Sequence, residues 1–370
     1  MYSGLHRQIS RTHNVNIRRI TSLPSPAQLK ADLPITKACW QTVLEGRNTI
    51  NDIIHGTDSR LLVAMGPCSI HNPKEALQYA RWLKGLRDRL NATGSNIYIV
   101  MRAVFVKPRT NHDWTGYFND PDMNGRCDIE KGWRLGRRLL LDITEMGIPV
   151  ATEYLNVDSL QNVDDLYSFH WIGARSIEFQ EYRDEASALS TPVGFKNPIS
   201  GKLDIAFNSM HWAAQRNVLT APHDNGVRAR FETKGNPNNI LILRGTEFAE
   251  NCNAEQIKET SGLLEARGLN PRVIVDVNHG NSKKDHLKQA DTIKYLGELR
   301  GRGSLPQLAG FMYESNQQDG KQKLAVEFGK RPRLRPGISV TDGCDGIERS
   351  EKALLSLGEL LGSSAATSLH

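Results

Sequence analysis

Eight short apolar runs punctuate the chain: 61–66 (LLVAMG), 97–102 (IYIVMR), 148–153 (IPVATE), 171–175 (WIGAR), 192–196 (PVGFK), 240–244 (ILILR), 272–277 (RVIVDV) and 308–314 (LAGFMYE). Each is too short for a helix, and the apolar residues are continuous where a half-exposed strand would alternate. That pattern suits strands buried on both faces of a parallel sheet. Most of the runs are separated by enough chain for a crossover helix, which is what parallel pairing requires. Eight strand–helix units predict a (β/α)8 TIM barrel. A doubly wound open sheet is the structural alternative, but no glycine-rich dinucleotide fingerprint follows the first strand. With 370 residues, 39% of them apolar, the chain has material for one large barrel or two ordinary domains.

Around the barrel, expected over residues 61–362, the chain carries additions. Residues 1–60 read as an amino-terminal arm and helix: Ser25-Pro26 is a helix start, and Trp40, Val43, Leu44 and Ile50 to Ile54 recur at helical spacing. The first 31 residues hold no acid but include Arg7, Arg11, Arg18 and Arg19, which suits a mobile arm better than a transit peptide. Asn72 before Pro73 is a cap followed by a first-turn proline. The loop 111–128 is long enough for a lid or a subunit contact. Two short runs around Asn225-Gly226 predict an inserted β-hairpin at about 217–235. From 346 onward one amphipathic helix is expected, with a disordered tail at 363–370.

Net charge is +6 and the pI near 9.0, with basic residues scattered among acids, so no nucleic-acid partner is expected. Small anionic substrates account for the balance equally well. Five cysteines, Cys39, Cys68, Cys127, Cys252 and Cys344, form no CxxC pair and read as reduced thiols of a cytoplasmic protein. No run approaches the roughly 20 apolar residues of a membrane span, so no membrane partner is expected.

The chemistry gathers at the ends of the runs. In order they carry Cys68, Arg102, Glu153, Arg175, Lys196, Arg244, Asp276 with His279, and Glu314; Asp342 follows in the next loop. In a (β/α)8 barrel those ends converge on one mouth, where active sites are found. Arg102, Lys107, Arg109, Arg175, Lys196 and Arg244 form a cationic set suited to two phosphates and a carboxylate. Cys68, His279, Glu314 and Asp342 offer thiolate, imidazole and carboxylates, a mixture that binds manganese, iron, cobalt or zinc. Their sequence spacing carries no information; only the predicted barrel brings them together.

Specific text supports that reading: GPCSIHNP at 66–73, VMRAVFVKPRT at 100–110, GAR at 173–175, PVGFKN at 192–197, ILRG at 242–245, DVNHGNSKK at 276–284, ES at 314–315 and SVTDGCDG at 339–346. Over roughly residues 15 to 360 the chain resembles the class I (type I alpha) 3-deoxy-D-arabino-heptulosonate 7-phosphate (DAHP) synthases. The resemblance implies a (β/α)8 barrel that condenses phosphoenolpyruvate with erythrose 4-phosphate and releases phosphate, at the start of the shikimate pathway. By position it assigns Arg102, Arg175, Lys196 and Arg244 to phosphoenolpyruvate and Lys107, Pro108, Arg109 and Thr110 to the aldose phosphate, with Ala174 also among the substrate-binding residues. One divalent ion would rest on Cys68, His279, Glu314 and Asp342, and Lys107 is the candidate for proton transfer. A homodimer or homotetramer is implied as well.

Several positions depart from the family pattern. Asn278 stands where serine is usual before the metal histidine, and Asn316 where histidine usually follows Glu314-Ser315. Tyr182 and Asn239 also replace histidines, and Pro222-His223-Asp224-Asn225-Gly226 replaces a Thr-x-Lys-x-Gly hairpin. Asn14 and Leu160 alter the region that binds aromatic effectors in the family. These changes predict a specialised paralogue with weak feedback by phenylalanine and tyrosine. The alternatives are the same condensation with another aldose phosphate, or a non-catalytic regulatory homologue.

Overall fold

The computed structural model describes residues 13–109, 113–155, 158 and 161–367. Eight parallel strands close into a barrel: β1 (Leu61–Gly66), β2 (Ile97–Arg102), β3 (Val150–Tyr154), β4 (Phe169–Ile172), β5 (Val193–Lys196), β8 (Asn239–Leu243), β9 (Val273–Asp276) and β10 (Leu308–Glu314). Around the barrel the strands run β1-β10-β9-β8-β5-β4-β3-β2. First and last strands close the ring, with Leu62 opposite Gly310 and Gly66 opposite Glu314. β6 (Val218–Pro222) and β7 (Arg228–Glu232) stand outside it as an antiparallel hairpin. The chain is a TIM barrel.

The continuous apolar runs are explained by two cores. Inside the ring, Leu62, Val100, Phe169, Trp171, Ile242 and Met312 pack together. They are joined by Ile50, Ile53 and Ile54 from helix α2 (Lys37–His55), which follows α1 (Pro26–Asp32). The last turn of α2 therefore belongs to the barrel interior. Outside the ring the alternate residues, such as Leu61, Val63 and Met65, pack under α3 (Pro73–Ala92), α4 (Ile129–Glu145) and the later helices. A strand with both faces covered has few polar positions to offer.

Helix boundaries follow local chemistry. Ser25 and Gln28 form a reciprocal capping box at α1, and Asn72 accepts from the Lys74 amide at 3.1 Å ahead of Pro73. Further α-helices among the described residues are α5 (Gln180–Ala186), α6 (Leu203–Ala214), α7 (Ala254–Glu265), α8 (Gln289–Gly301) and α9 (Ile347–Thr367). α9 runs past residue 362, where a disordered tail was expected to begin. No proline breaks the stretch up to Thr367, and Ala365-Ala366 favours helix.

Strand limits shift by a residue at β5, β8 and β9 and differ most from the apolar runs at β3 and β4. β3 starts at Val150, two residues into 148–153, and β4 ends at Ile172, so Gly173-Ala174-Arg175 is a turn beyond the strand. β4 reaches back through His170, which is fully buried and bonds Thr191 at 2.8 Å. Burial holds that imidazole neutral, lowering its pKa to about 3, so a polar residue occupies a core strand position.

The described part of loop 111–128 is packed against the barrel. Trp114, Tyr117 and Phe118 are almost wholly buried, and Phe118 stacks on Phe105 with ring centroids 4.6 Å apart. Gly116 has φ +116°, and a Cβ there would meet the Phe105 carbonyl oxygen at 2.2 Å, so only glycine lets the two backbones meet. Thr110, Leu160 and the first arm residues, including Arg7 and Arg11, lie outside the described residues.

Beside the hairpin, Tyr154 donates to buried Glu185 at 3.1 Å, and burial pushes the Glu185 carboxyl up to about 7. A carboxyl raised on folding stabilises most below its unfolded pKa, near 4.5, and that contribution fades as pH climbs through 7. Glu185→Gln is therefore expected to match the parent at pH 5 and exceed it by about 2–3 kcal/mol at pH 8. Thermal melts of both proteins at the two pH values read the difference; an advantage that does not grow with pH would refute it.

Candidate functional site

At the carboxyl ends of the strands lies a cavity of about 420 Å³, and Lys107, Pro108, Arg109, Ala174, Arg175, Lys196, Arg244, His279 and Asp342 all line it. Cys68, Arg102 and Glu314 lie buried and do not line it. Thr110 is outside the described residues.

The side chains are delivered by strand ends and by the loops that follow them. Arg102 closes β2 at 1% exposure, and one Nη2 donates to Glu314 Oε1 at 2.8 Å. Its Nε and Nη1 are buried without a hydrogen-bond partner, two donors prepared for an anion. Lys196 closes β5 and donates to Asp276 Oδ2 at 2.6 Å. Both cations face the Trp171 ring, at 5.1 Å for Arg102 and 5.8 Å for Lys196. Arg244 follows β8, its backbone amide fixed by Asn197 Oδ1 at 2.9 Å. Burial lowers its pKa, and the like charge of Arg175 adds to the effect. Gly173 lets the following turn approach Glu153: a Cβ there would fall 2.0 Å from that carboxylate.

The second chemistry lies beneath the cations. Donor atoms of Cys68, Glu314 and Asp342 lie within 4.8 Å of one another, with the Cys68 thiol 3.6 Å from Asp342 Oδ2. Burial, reinforced by Glu314, pushes that thiol up to about 12, so it ionises only beside a cation. A fully buried thiol between two carboxylates is a donor set that fits a divalent transition metal. His279 is not within that close group. Its Nδ1 sits 3.0 Å from Asp276 Oδ2, which leaves Nε2 as the free ligating nitrogen. Burial would raise the Asp276 carboxyl, yet His279 and Lys196 hold it well below the usual range.

Lys107 sits where the two sets meet. Burial pulls its pKa down, but Cys68, Glu153, Glu314 and Asp342 outweigh that and raise it. The ammonium stays charged and can release a proton only to a strong base such as an alkoxide.

Some residues that shape the site had no role assigned from the sequence. Asp276 joins Lys196 to His279, Asn278 donates through Nδ2 to Glu314 Oε2, and Gln289 clamps the Glu314 backbone at both its amide and carbonyl, each at 3.0 Å. Lys284 and Lys321 add cations to the cavity wall. Asp276 is the one with a visible signal, as a charge ending an apolar run.

Comparison with known proteins follows the same lines. The family model described as "DAHP synthetase I family" matches residues 32–355. The Tyr-sensitive phospho-2-dehydro-3-deoxyheptonate aldolase of Escherichia coli (strain K12) is 40% identical over 342 residues, 92% of this chain and 94% of that one. The Trp-sensitive enzyme of Enterobacter agglomerans is 39% identical over 351 residues, 95% and 98% of the two chains. A solved structure of phospho-2-dehydro-3-deoxyheptonate aldolase from Francisella tularensis SCHU S4 superposes with a TM-score of 0.87 at 38% identity, covering 93% of this chain and 98% of that one.

Proposed function

The chain belongs to the DAHP synthetase I family and is a DAHP synthase, and from that premise we propose how its own residues divide the condensation of phosphoenolpyruvate with erythrose 4-phosphate. The observation that carries this reading is one barrel mouth lined by cations with a thiol–carboxylate group under it. Arg102, Arg175, Lys196 and Arg244, with Ala174 alongside, hold the phosphate and carboxylate of phosphoenolpyruvate. Lys107, Pro108, Arg109 and Thr110 hold the phosphate of the aldose. Fixing two mutually repelling anions in register supplies most of the acceleration.

Cys68, His279, Glu314 and Asp342 would hold one divalent ion, whose Lewis acidity polarises the aldehyde oxygen when it is bound. The methylene carbon of phosphoenolpyruvate then forms the new bond to the aldehyde carbon. Lys107 Nζ gives a proton to the resulting alkoxide, water adds at the neighbouring enol-ether carbon, and phosphate leaves as the ketone forms. Asp276 positions His279 and Lys196 without touching substrate.

Phosphate release from phosphoenolpyruvate tests the reading, using metal-stripped protein with and without manganese or cobalt. Release that needs both metal and erythrose 4-phosphate supports it. No release with erythrose 4-phosphate, but release with another aldose phosphate, would move the chain to a different substrate within the same chemistry.

Regulation is proposed to be weak. The relatives are named Tyr-sensitive and Trp-sensitive, whereas this chain carries Asn14, Leu160 and the hairpin text Pro222-His223-Asp224-Asn225-Gly226 in place of the family pattern. Micromolar phenylalanine or tyrosine is expected to leave turnover unchanged; strong inhibition by either would sink the idea. A cytoplasmic homodimer or homotetramer is proposed as well. Trp40 and Leu44, one turn apart on α2 and 52% and 40% exposed, are suited to a subunit contact. A monomer in sedimentation equilibrium would exclude it.

A further inference from the structure

Outside the catalytic cavity, His286, Asp319 and Asp345 bring one imidazole nitrogen and two carboxylate oxygens within 4.8 Å of one another. The three come from loops after β9 and β10 and from the loop before α9. Asp345 is fully buried; Tyr313 donates to its Oδ2 at 2.6 Å, while Oδ1 is buried with no hydrogen-bond donor. Arg349 Nε is 3.6 Å from that oxygen and 3.7 Å from Asp319 Oδ1, too far to hydrogen-bond either. A buried carboxylate oxygen left in this way has a strong claim on a cation.

Local structure supports the three donors. Asp319 is fixed by the Gly346 amide, which donates to Oδ1 at 2.8 Å. Asp285 caps the turn that presents His286, accepting from the Leu287 amide at 3.1 Å. His286 packs against Gly343, where a Cβ would fall 2.9 Å from its Nδ1. Backbone bonds already tie two of the loops: Gly320 to Cys344 at 2.8 Å, and Asn316 to the Asp345 carbonyl at 2.8 Å.

We propose that His286, Asp319 and Asp345 form a second divalent-cation site, of the nitrogen–oxygen class that takes zinc, cobalt or manganese. Each donor lies just downstream of a residue proposed for the catalytic ion: His286 after His279, Asp319 after Glu314, and Asp345 after Asp342. An ion there would cross-link the three loops that aim those ligands. The site is a brace, and it rests on the reading above only for the roles of those three residues.

The test counts metal. Tag-free full-length protein is stripped with chelator, equilibrated with zinc, dialysed and measured by mass spectrometry as parent, Cys68→Ala, His286→Ala and the double variant. The expected stoichiometries are two, one, one and none. Asp319→Asn, at an exposed position, should repeat the His286→Ala result and guards against a folding defect. Cobalt-loaded Cys68→Ala should keep ligand-field absorption without thiolate charge transfer and lose it with His286→Ala. Two equivalents in His286→Ala, or none in Cys68→Ala, would overturn the proposal and leave Arg349 as the cation that serves both carboxylates. Failure of the condensation itself would not change these counts.

Discussion

Cys68→Ala is expected to lower metal-dependent turnover by about a thousandfold or more while leaving the fold nearly intact. A Lewis-acid ion contributes several kcal/mol at the transition state, and each 1.36 kcal/mol is about tenfold in rate. The thiol is fully buried between Glu314 and Asp342 and shares a donor cluster with them. Removing it leaves two carboxylates without the sulfur that completes the set. Cys39 provides the contrast. It is equally buried, but its thiol donates to the Leu141 carbonyl at 3.3 Å and to Glu145 at 3.1 Å, under the helices. Cys39→Ala should lose stability and keep turnover. Equal turnover in Cys68→Ala and the parent, with matched metal content, would remove Cys68 from the ligand set.

Arg102→Met is expected to damage both stability and activity. Its guanidinium is the ion-pair partner of Glu314, at 2.8 Å with both side chains almost fully buried. Taking one member from a buried pair leaves an uncompensated charge and costs about 3–5 kcal/mol. The same change deletes the two orphaned donors, a loss of about 100- to 1,000-fold in kcat for a preorganised anion contact. Combining Arg102→Met with Glu314→Gln isolates the stability effect, because Glu314 belongs to the proposed metal set and its change alone stops turnover. The double variant should recover most of the melting temperature and none of the turnover. If stability stays low in the double variant, the ion pair is not what Arg102 contributes to the fold.

The barrel was legible because its strands have no solvent face. A run such as ILILR announces itself by lacking polar alternation, and the charge that ends it marks the mouth. The same logic misplaced β4, since His170 is a core residue kept neutral by its burial and bonded to Thr191. The cations and the metal-type donors were visible as strand ends. Their pairing was not, because Lys196 with Asp276 is a contact across 80 positions and Arg102 with Glu314 one across 212. Asn278 illustrates the remaining gap. Its identity reads as a departure from family, and only the geometry reveals a donor that orients Glu314. The trio His286, Asp319 and Asp345 had no signal at all, since none ends an apolar run.

Closure of the ring between β1 and β10 has a consequence for how the chain is made. Leu61 leaves the ribosome early and waits for residues that follow about two thirds of the chain later, with the edge of β1 unpaired throughout. An open parallel edge is a template for wrong partners. A chain that stops between β1 and Glu314 therefore lacks the strand that closes the ring and keeps an open edge on β1.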